Sequence, residues 1–448
     1  MLTFFAFVFA IGLLVFIHEY GHYWAARRCG VGVLTFSIGF GKPLYQWQRG
    51  QTTWQIAAIP LGGFVKMLDE SEAPVASDLR QYAFNTQHPA KKMAIAFAGP
   101  LTNLLFACLV YAGLYAHGVV TLKPIIGAVS AGSIAANAGL KAGDRITLVN
   151  AEKVSDWEQV QINLFSAAGH AQLLIGAKTA QGAEKQFALD LSLLKAAEFD
   201  QKILSRLGLS PFAATNRIAF IQAGSAAERA GLQVDDLILE INQQKLLDWH
   251  EFQDVVASSP SQALSLTVNR NQQVIALVVT PDAIELNGKK VGRIGVSPAN
   301  DEALYKKMQQ TVRLGPLDAL VAGVIKTYDL SILTVKMFGK MLVGALSPKQ
   351  VSGPLGIAEF AGQSAAMGWL AYLQALALIS ISLGVLNLMP VPILDGGHLL
   401  YHGYELLSGR TVPEWLALVL QKIGISLLLL LMALALFNDA NRFLFGLG

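Results

Sequence analysis

His18, Glu19 and His22 lie together in the run HEYGH. A helix turns ~100° and rises ~1.5 Å per residue, so two histidines four positions apart stand on one face and can share a metal ion. A glutamate beside them can act as the base toward a water molecule at that metal. A catalytic zinc ion takes three protein ligands and keeps one position open, so a third ligand must come from elsewhere in the chain. Between Phe360 and Tyr404 there is one acidic residue, Asp395, in NLMPVPILDGGH. His398 and His402 are its rivals as ligands; Asp395 is preferred because two histidines and one carboxylate form a known catalytic zinc set. The expectation is one Zn2+ per chain.

These residues must be positioned by membrane-spanning helices. Of 448 residues, 53% are hydrophobic and 15% charged, and the mean hydropathy is +0.45, a balance too apolar for an ordinary soluble enzyme. A net charge of +3 without basic runs excludes a nucleic-acid partner. Cys29 and Cys108 are the two cysteines, in unlike surroundings, and are expected to pack rather than to pair or bind metal. Apolar stretches long enough to cross a bilayer begin at Leu2, run from about Met93 to Tyr115, from about Trp369 to Met389 and from about Trp415 to Phe437. The first, uncharged from Leu2 to Ile17, continues through His22 and Trp24 and ends in HEYGH; no Lys or Arg precedes Arg27, so it does not read as a cleaved signal.

Arg27, Arg28, Lys91 and Lys92 flank the loop after the first span and place it in the cytoplasm, with the N-terminus outside. Leu317 to Ala345 is apolar too, but Lys326, Asp329, Lys336 and Lys340 fall on one stripe of it. At ~2.5–3.5 kcal/mol for each charge at a bilayer centre, a surface helix is favoured over a fifth span, with packing under the soluble domains as the alternative. Keeping it outside brings Asp395 to the same side as His18 and His22. Ionisable side chains at the end of an apolar span are costly and functional by default, and Pro390 and Pro392 break the helix beside Asp395 at the same depth.

The middle of the chain is a duplication: AGSIAANAGLKAGDRITLVNAEKVSDW from Ala131 and AGSAAERAGLQVDDLILEINQQKLLDW from Ala223 match at a constant offset of 92. Each copy predicts a short helix, a turn at Gly139 or Gly231, then a strand (Ile146 to Val149, Leu237 to Ile241). These units resemble bacterial, circularly permuted PDZ domains. That resemblance implies peptide capture by the loops Leu207, Gly208, Leu209 and Ile294, Gly295, Val296, in RLGLSP and RIGVSP. Asp235 stands where the first copy has Gly143, which brings the second copy's turn into question.

The fold class expected is therefore a multi-pass α-helical membrane protein with four transmembrane helices, N-terminus outside, and two tandem PDZ-like α+β domains on the extracytoplasmic side. Its divisions are a first transmembrane helix (1–28), a cytoplasmic β-hairpin loop (29–92), a second helix (93–117), PDZ-like domains (118–212 and 213–300), an amphipathic segment (301–367), a third helix with its Asp395 motif (368–397), and a loop with the fourth helix (398–448).

HExxH in a first span together with NxxPxPxLDG after a later one resembles the site-2 protease family of intramembrane metalloproteases. FAGPLTN (Phe97 to Asn103), GFG (Gly39 to Gly41) and GGFVKM (Gly62 to Met67) extend the likeness over nearly the whole chain. The resemblance implies that His18, His22 and Asp395 bind zinc, that Glu19 is the catalytic carboxylate, that Asn387 steadies the substrate backbone, and that Gly39, Phe40 and Gly41 handle substrate. It implies as substrate a single-span, anti-sigma-factor-like membrane protein already trimmed outside, and remnant signal peptides. The implied location is the bacterial inner membrane, with the PDZ-like domains in the periplasm as a size filter and the active site toward the cytoplasm. A membrane-anchored protease acting on soluble peptides at the cytoplasmic face, a PDZ scaffold without catalysis, and a transporter are the competing classes; the complete His, Glu, His, Asp set disfavours the scaffold, and the broken segment after the third span is the transporter's only support.

Overall fold

A computed structural model describes residues 1–448 except 72, 131, 168–169, 193, 195–202, 213, 247–248, 287–288, 344–352 and 446–448. The chain forms two compact units, one from residues 1–119 with 312–448 and one from 120–311.

Among the described residues, four helices of the first unit are long and apolar enough to cross a membrane: Leu2–Arg28, Pro89–His117, Trp369–Asn387 and Trp415–Ala440. They are called spans one to four below. Between lipid-like surfaces there is little hydrophobic gain in pairing helices, so small residues and buried polar contacts must hold them. Gly21 of span one lies against Ala98 and Thr102 of span two, where an added Cβ would sit 2.9 Å from the Ala98 carbonyl carbon. Thr102 Oγ1 donates to the Ile17 carbonyl at 2.9 Å. Span three joins span two in the same way: Gly384 lies against the Pro100 carbonyl, and Ser380 Oγ donates to the Asn103 carbonyl at 2.8 Å.

The helix Pro316–Leu342 covers the ambiguous amphipathic segment. It packs against span two. Ala319, Gly323, Thr327 and Leu330 form its buried face. Gly323 approaches Ala112 closely, its added Cβ falling 2.8 Å from that nitrogen. Hydropathy cannot reveal this because the contact depends on small side chains rather than apolar area.

Between spans one and two, strands β1 (Val33–Arg49) and β2 (Thr52–Met67) form the expected hairpin. Both are bent, so that residues 35–38 face 63–66 on one side and 53–56 on the other, while 46–49 pair with 52–55. Four segments thus lie side by side, and 63–67 is an outer one.

In the second unit the duplication is structural. Helices Ile134–Asn137 and Trp157–Ser166 recur as Ala226–Arg229 and Trp249–Ser258, and strands Arg145–Val149 and Gln172–Lys178 as Leu237–Ile241 and Leu264–Arg270. Ser133 and Ser225 cap the first helix of each copy, accepting from Ala136 N and Glu228 N. Asp235 takes φ +74° where Gly143 takes +88°, so the turn survives the substitution in a left-handed conformation that Asp tolerates. The next residue closes each turn: Asp144 accepts from Lys141 N and Asp236 from Gln233 N. Asp236 is fully buried and also meets Arg270 through Nε and Nη2, both at 2.8 Å. Ile238, Phe252, Leu266 and Val268 are among its core residues.

Candidate active site

HEYGH lies inside the helix of span one, and His18, Glu19 and His22 are only 7%, 9% and 8% exposed. The third group arrives by a break in the backbone. Span three ends at Asn387, and the next regular helix begins at Asp395. Gly396 and Gly397 let this helix fold back on the intervening segment; added Cβ atoms would lie 2.5 Å from the Leu388 carbonyl carbon and 2.5 Å from Pro392 Cα. Pro390 and Pro392 cannot continue a helix, which is why the chain is free to turn here.

The result is a cluster of His18, His22 and Asp395, whose ligand atoms all lie within 4.8 Å of one another. The two Nε2 atoms are 3.2 Å apart. Asp395 Oδ2 is 3.1 Å from His18 Nε2 and 3.4 Å from His22 Nε2. A tetrahedral ion with arms of ~2.0–2.1 Å has edges of about 3.3 Å, so this spacing is the one zinc requires. His22 Nδ1 meets the Ile95 carbonyl at 2.8 Å. Nδ1 therefore carries the proton and donates it, which leaves the Nε2 lone pair for a metal.

Three glycines shape the surroundings. At Gly99 of span two an added Cβ would lie 2.6 Å from His22 Cε1, so only glycine leaves room for that imidazole. At Gly63 of β2 it would lie 2.8 Å from Glu19 Cγ. Gly62 accommodates the ring of Phe40, which also stacks on Phe64 at 6.4 Å between centroids.

Across residues 6–431 the sequence matches the model of Peptidase family M50. The chain belongs to this family. It is 41% identical over 445 residues to Regulator of sigma-E protease RseP of Salmonella typhimurium, covering 98% of each protein. To the RseP of Escherichia coli K12 it is 39% identical over 447 residues, again 98% of each. A Neisseria meningitidis protein provisionally named a zinc metalloprotease is 41% identical over 445 residues, 99% of this chain and 100% of that one. The resemblance to site-2 proteases is thereby established, and this M50 member is a zinc metalloprotease.

The rivals for the third ligand place elsewhere. His402 Nδ1 lies 3.3 Å from Glu405, which in turn pairs with Lys92 at 3.2 Å. His398 stacks toward His402 with ring centroids 6.4 Å apart. Asn387 Nδ2 is 3.5 Å from His18 Nε2, beside the cluster. Gly39 and Gly41 adopt φ +92° and +84° and kink β1; the strand segment that touches Glu19 is the one containing Gly63. In the second unit Leu207, Leu209 and Ile294 are buried in their domains. Gly208 and Gly295 take φ +80° and +79° and press against Ser133 and Ser225. A groove of about 330 Å³ opens beside the second of these loops, lined by Phe220, Trp249, Phe252, Val256, Ile294 and Val296. Sequence reasoning gave no role to Gly99, Gly63 or Asn103 individually. The available signal was an Asn and a Gly-Pro pair inside an apolar span.

Proposed function

We propose that the chain cleaves single-span membrane proteins within the bilayer, with one zinc ion held by His18 Nε2, His22 Nε2 and the carboxylate of Asp395. The observation that carries this reading is the three-way convergence of those atoms at tetrahedral-edge spacing, from two helices far apart in sequence. Zinc bound there supplies Lewis-acid activation of the scissile carbonyl and of the attacking water. Glu19, on the same helix turn, takes the water's proton on its carboxylate and returns it to the leaving nitrogen. The Asn387 amide, beside His18, holds the substrate backbone in place.

A transmembrane substrate hides its amides in its own helical hydrogen bonds and must be extended before it is cut. In the outer segment of β2, Gly63–Val65 offer an unpaired strand edge among the described residues, and Gly63 abuts Glu19. A substrate strand added there would bring its carbonyls to the base. This moves substrate alignment from Gly39–Gly41 to the adjoining segment, with Phe40 supporting it through Gly62.

The basic residues Arg27, Arg28 and Lys91 favour a cytoplasmic hairpin, an N-terminus outside and periplasmic PDZ-like domains in an inner-membrane protein. The relatives named for sigma-E regulation support an anti-sigma-factor-like substrate trimmed beforehand, and the PDZ-like pair then serves as a filter against bulky outer domains. Co-expressing single-span proteins with wild type and with Glu19→Gln, then mapping fragment ends by mass, tests the proposal. Fragment ends inside the apolar span, absent in the mutant, are expected; ends confined to soluble flanks would refute it.

A further inference from the structure

We infer that Asn103 is a positioning residue for the metal centre: its side-chain oxygen accepts a hydrogen bond from His18 Nδ1–H and fixes the tautomer in which Nε2 ligates. This rests on His18 being a zinc ligand, as proposed above. His18 Nε2 faces His22 Nε2 and Asp395 Oδ2 at 3.2 and 3.1 Å, so that nitrogen must keep its lone pair and the proton must sit on Nδ1. The group facing Nδ1 is the Asn103 side-chain amide, at 3.5 Å. With the NH2 group turned toward Nδ1, donor would face donor. Amide oxygen and nitrogen are nearly identical in shape, and the hydrogen-bond partner decides their orientation. Turning the amide places its oxygen, which otherwise has no partner, on the one nearby N–H that needs an acceptor. Either orientation leaves one end of the amide unpaired, so the end that meets His18 makes the choice.

Two further observations support a dedicated role. Asn103 is fully buried within an apolar span, where a polar side chain is costly unless it is used. Its backbone is also pinned, because Ser380 Oγ of span three donates to the Asn103 carbonyl. Span two thereby supplies an acceptor to each histidine of span one: the Ile95 carbonyl to His22 and the Asn103 side chain to His18. Both ligands are then held as Nδ1–H tautomers with Nε2 free, the arrangement that partners of metal-bound histidines enforce.

The test uses the purified full-length chain and competition for zinc against a chromophoric chelator, with thermal unfolding of the metal-stripped protein alongside. Asn103→Leu, of similar volume but without an acceptor, is expected to weaken zinc binding about 10- to 100-fold while metal-free unfolding stays near that of wild type. Asn103→Asp presents an oxygen to Nδ1 in either orientation and is expected to bind zinc within about threefold of wild type, a rescue that mere space-filling would not give. Wild-type affinity in Asn103→Leu would overturn the inference while leaving the ligand set intact, and so would Asn103→Asp losing zinc as Asn103→Leu does. His18→Ala distinguishes the underlying reading: undiminished zinc binding in that variant would refute His18 as a ligand and the inference with it.

Discussion

Gly99→Ala should weaken zinc binding without unfolding the protein. The added methyl would lie 2.6 Å from His22 Cε1 and 2.8 Å from Cδ2. His22 Nε2 lies closer still, and ordinary contact begins near 3.4 Å, so the imidazole must retreat by more than about 0.8 Å, against a metal–ligand tolerance of about ±0.2 Å. With metal, the misfit is borne by the site. Overpacking of this kind costs about 1–3 kcal/mol, which is about 5- to 150-fold in zinc affinity. Chelator competition on the purified full-length protein reads this directly. Gly113→Ala, in the same helix but with nothing within 4 Å of the added methyl, is the matched control and should bind zinc like wild type. Wild-type zinc affinity in Gly99→Ala would refute either His22 as a ligand or the closeness of spans one and two.

Other consequences follow from the same physical account. Lys92→Met should leave the partly buried Glu405 with His402 as its remaining partner and destabilise the chain by about 1.5–3 kcal/mol, whereas Lys92→Met with Glu405→Leu should recover most of that; a double variant no more stable than the single one in thermal unfolding would contradict it. Burial alone would raise the pKa of Asp236, but the Arg270 guanidinium and the Gln233 N–H outweigh it and hold the carboxyl below its ordinary 3.8. Its stabilisation is thus fully present above the ordinary carboxylate range and is lost as pH falls through that range to the lower folded value. Amide protection in strand Leu264–Arg270, taken relative to the intrinsic exchange rate at each pH, should fall on acidification, and Asp236→Asn should flatten that dependence while costing about 2–3 kcal/mol at pH 7; an unaltered acid profile in the variant would count against the pair. Removing residues 118–300 should permit cleavage of untrimmed substrates in a reporter assay, and unchanged selectivity would remove the filter from the account.

The chemistry was legible in the sequence because it depends on residue type and local spacing. HEYGH sits on one helical face, and Asp395 is the lone acidic residue in a long apolar stretch beside two prolines. The duplication was legible too, down to the equivalence of Asp235 with Gly143, where backbone conformation absorbs the change. What stayed hidden depends on which helices touch. Gly99 reads as a helix-weakening residue until His22 is found against it. Gly63 reads as part of a strand turn until Glu19 is found beside it. The helix Pro316–Leu342 shows charges and apolar residues, but its packing on span two depends on the small side chains of Ala319, Gly323 and Thr327, which hydropathy scarcely registers.

The central claim is that this M50 protease holds one zinc ion through His18, His22 and Asp395 and uses Glu19 as its base. Metal analysis of purified wild type, Glu19→Gln and Asp395→Ala, paired with cleavage of a single-span reporter, tests it most directly. About one zinc per chain is expected in wild type and in Glu19→Gln, with cleavage lowered by about 10²–10⁴-fold in Glu19→Gln and zinc lost from Asp395→Ala. Zinc absent from wild type, or fully retained in Asp395→Ala, would contradict it.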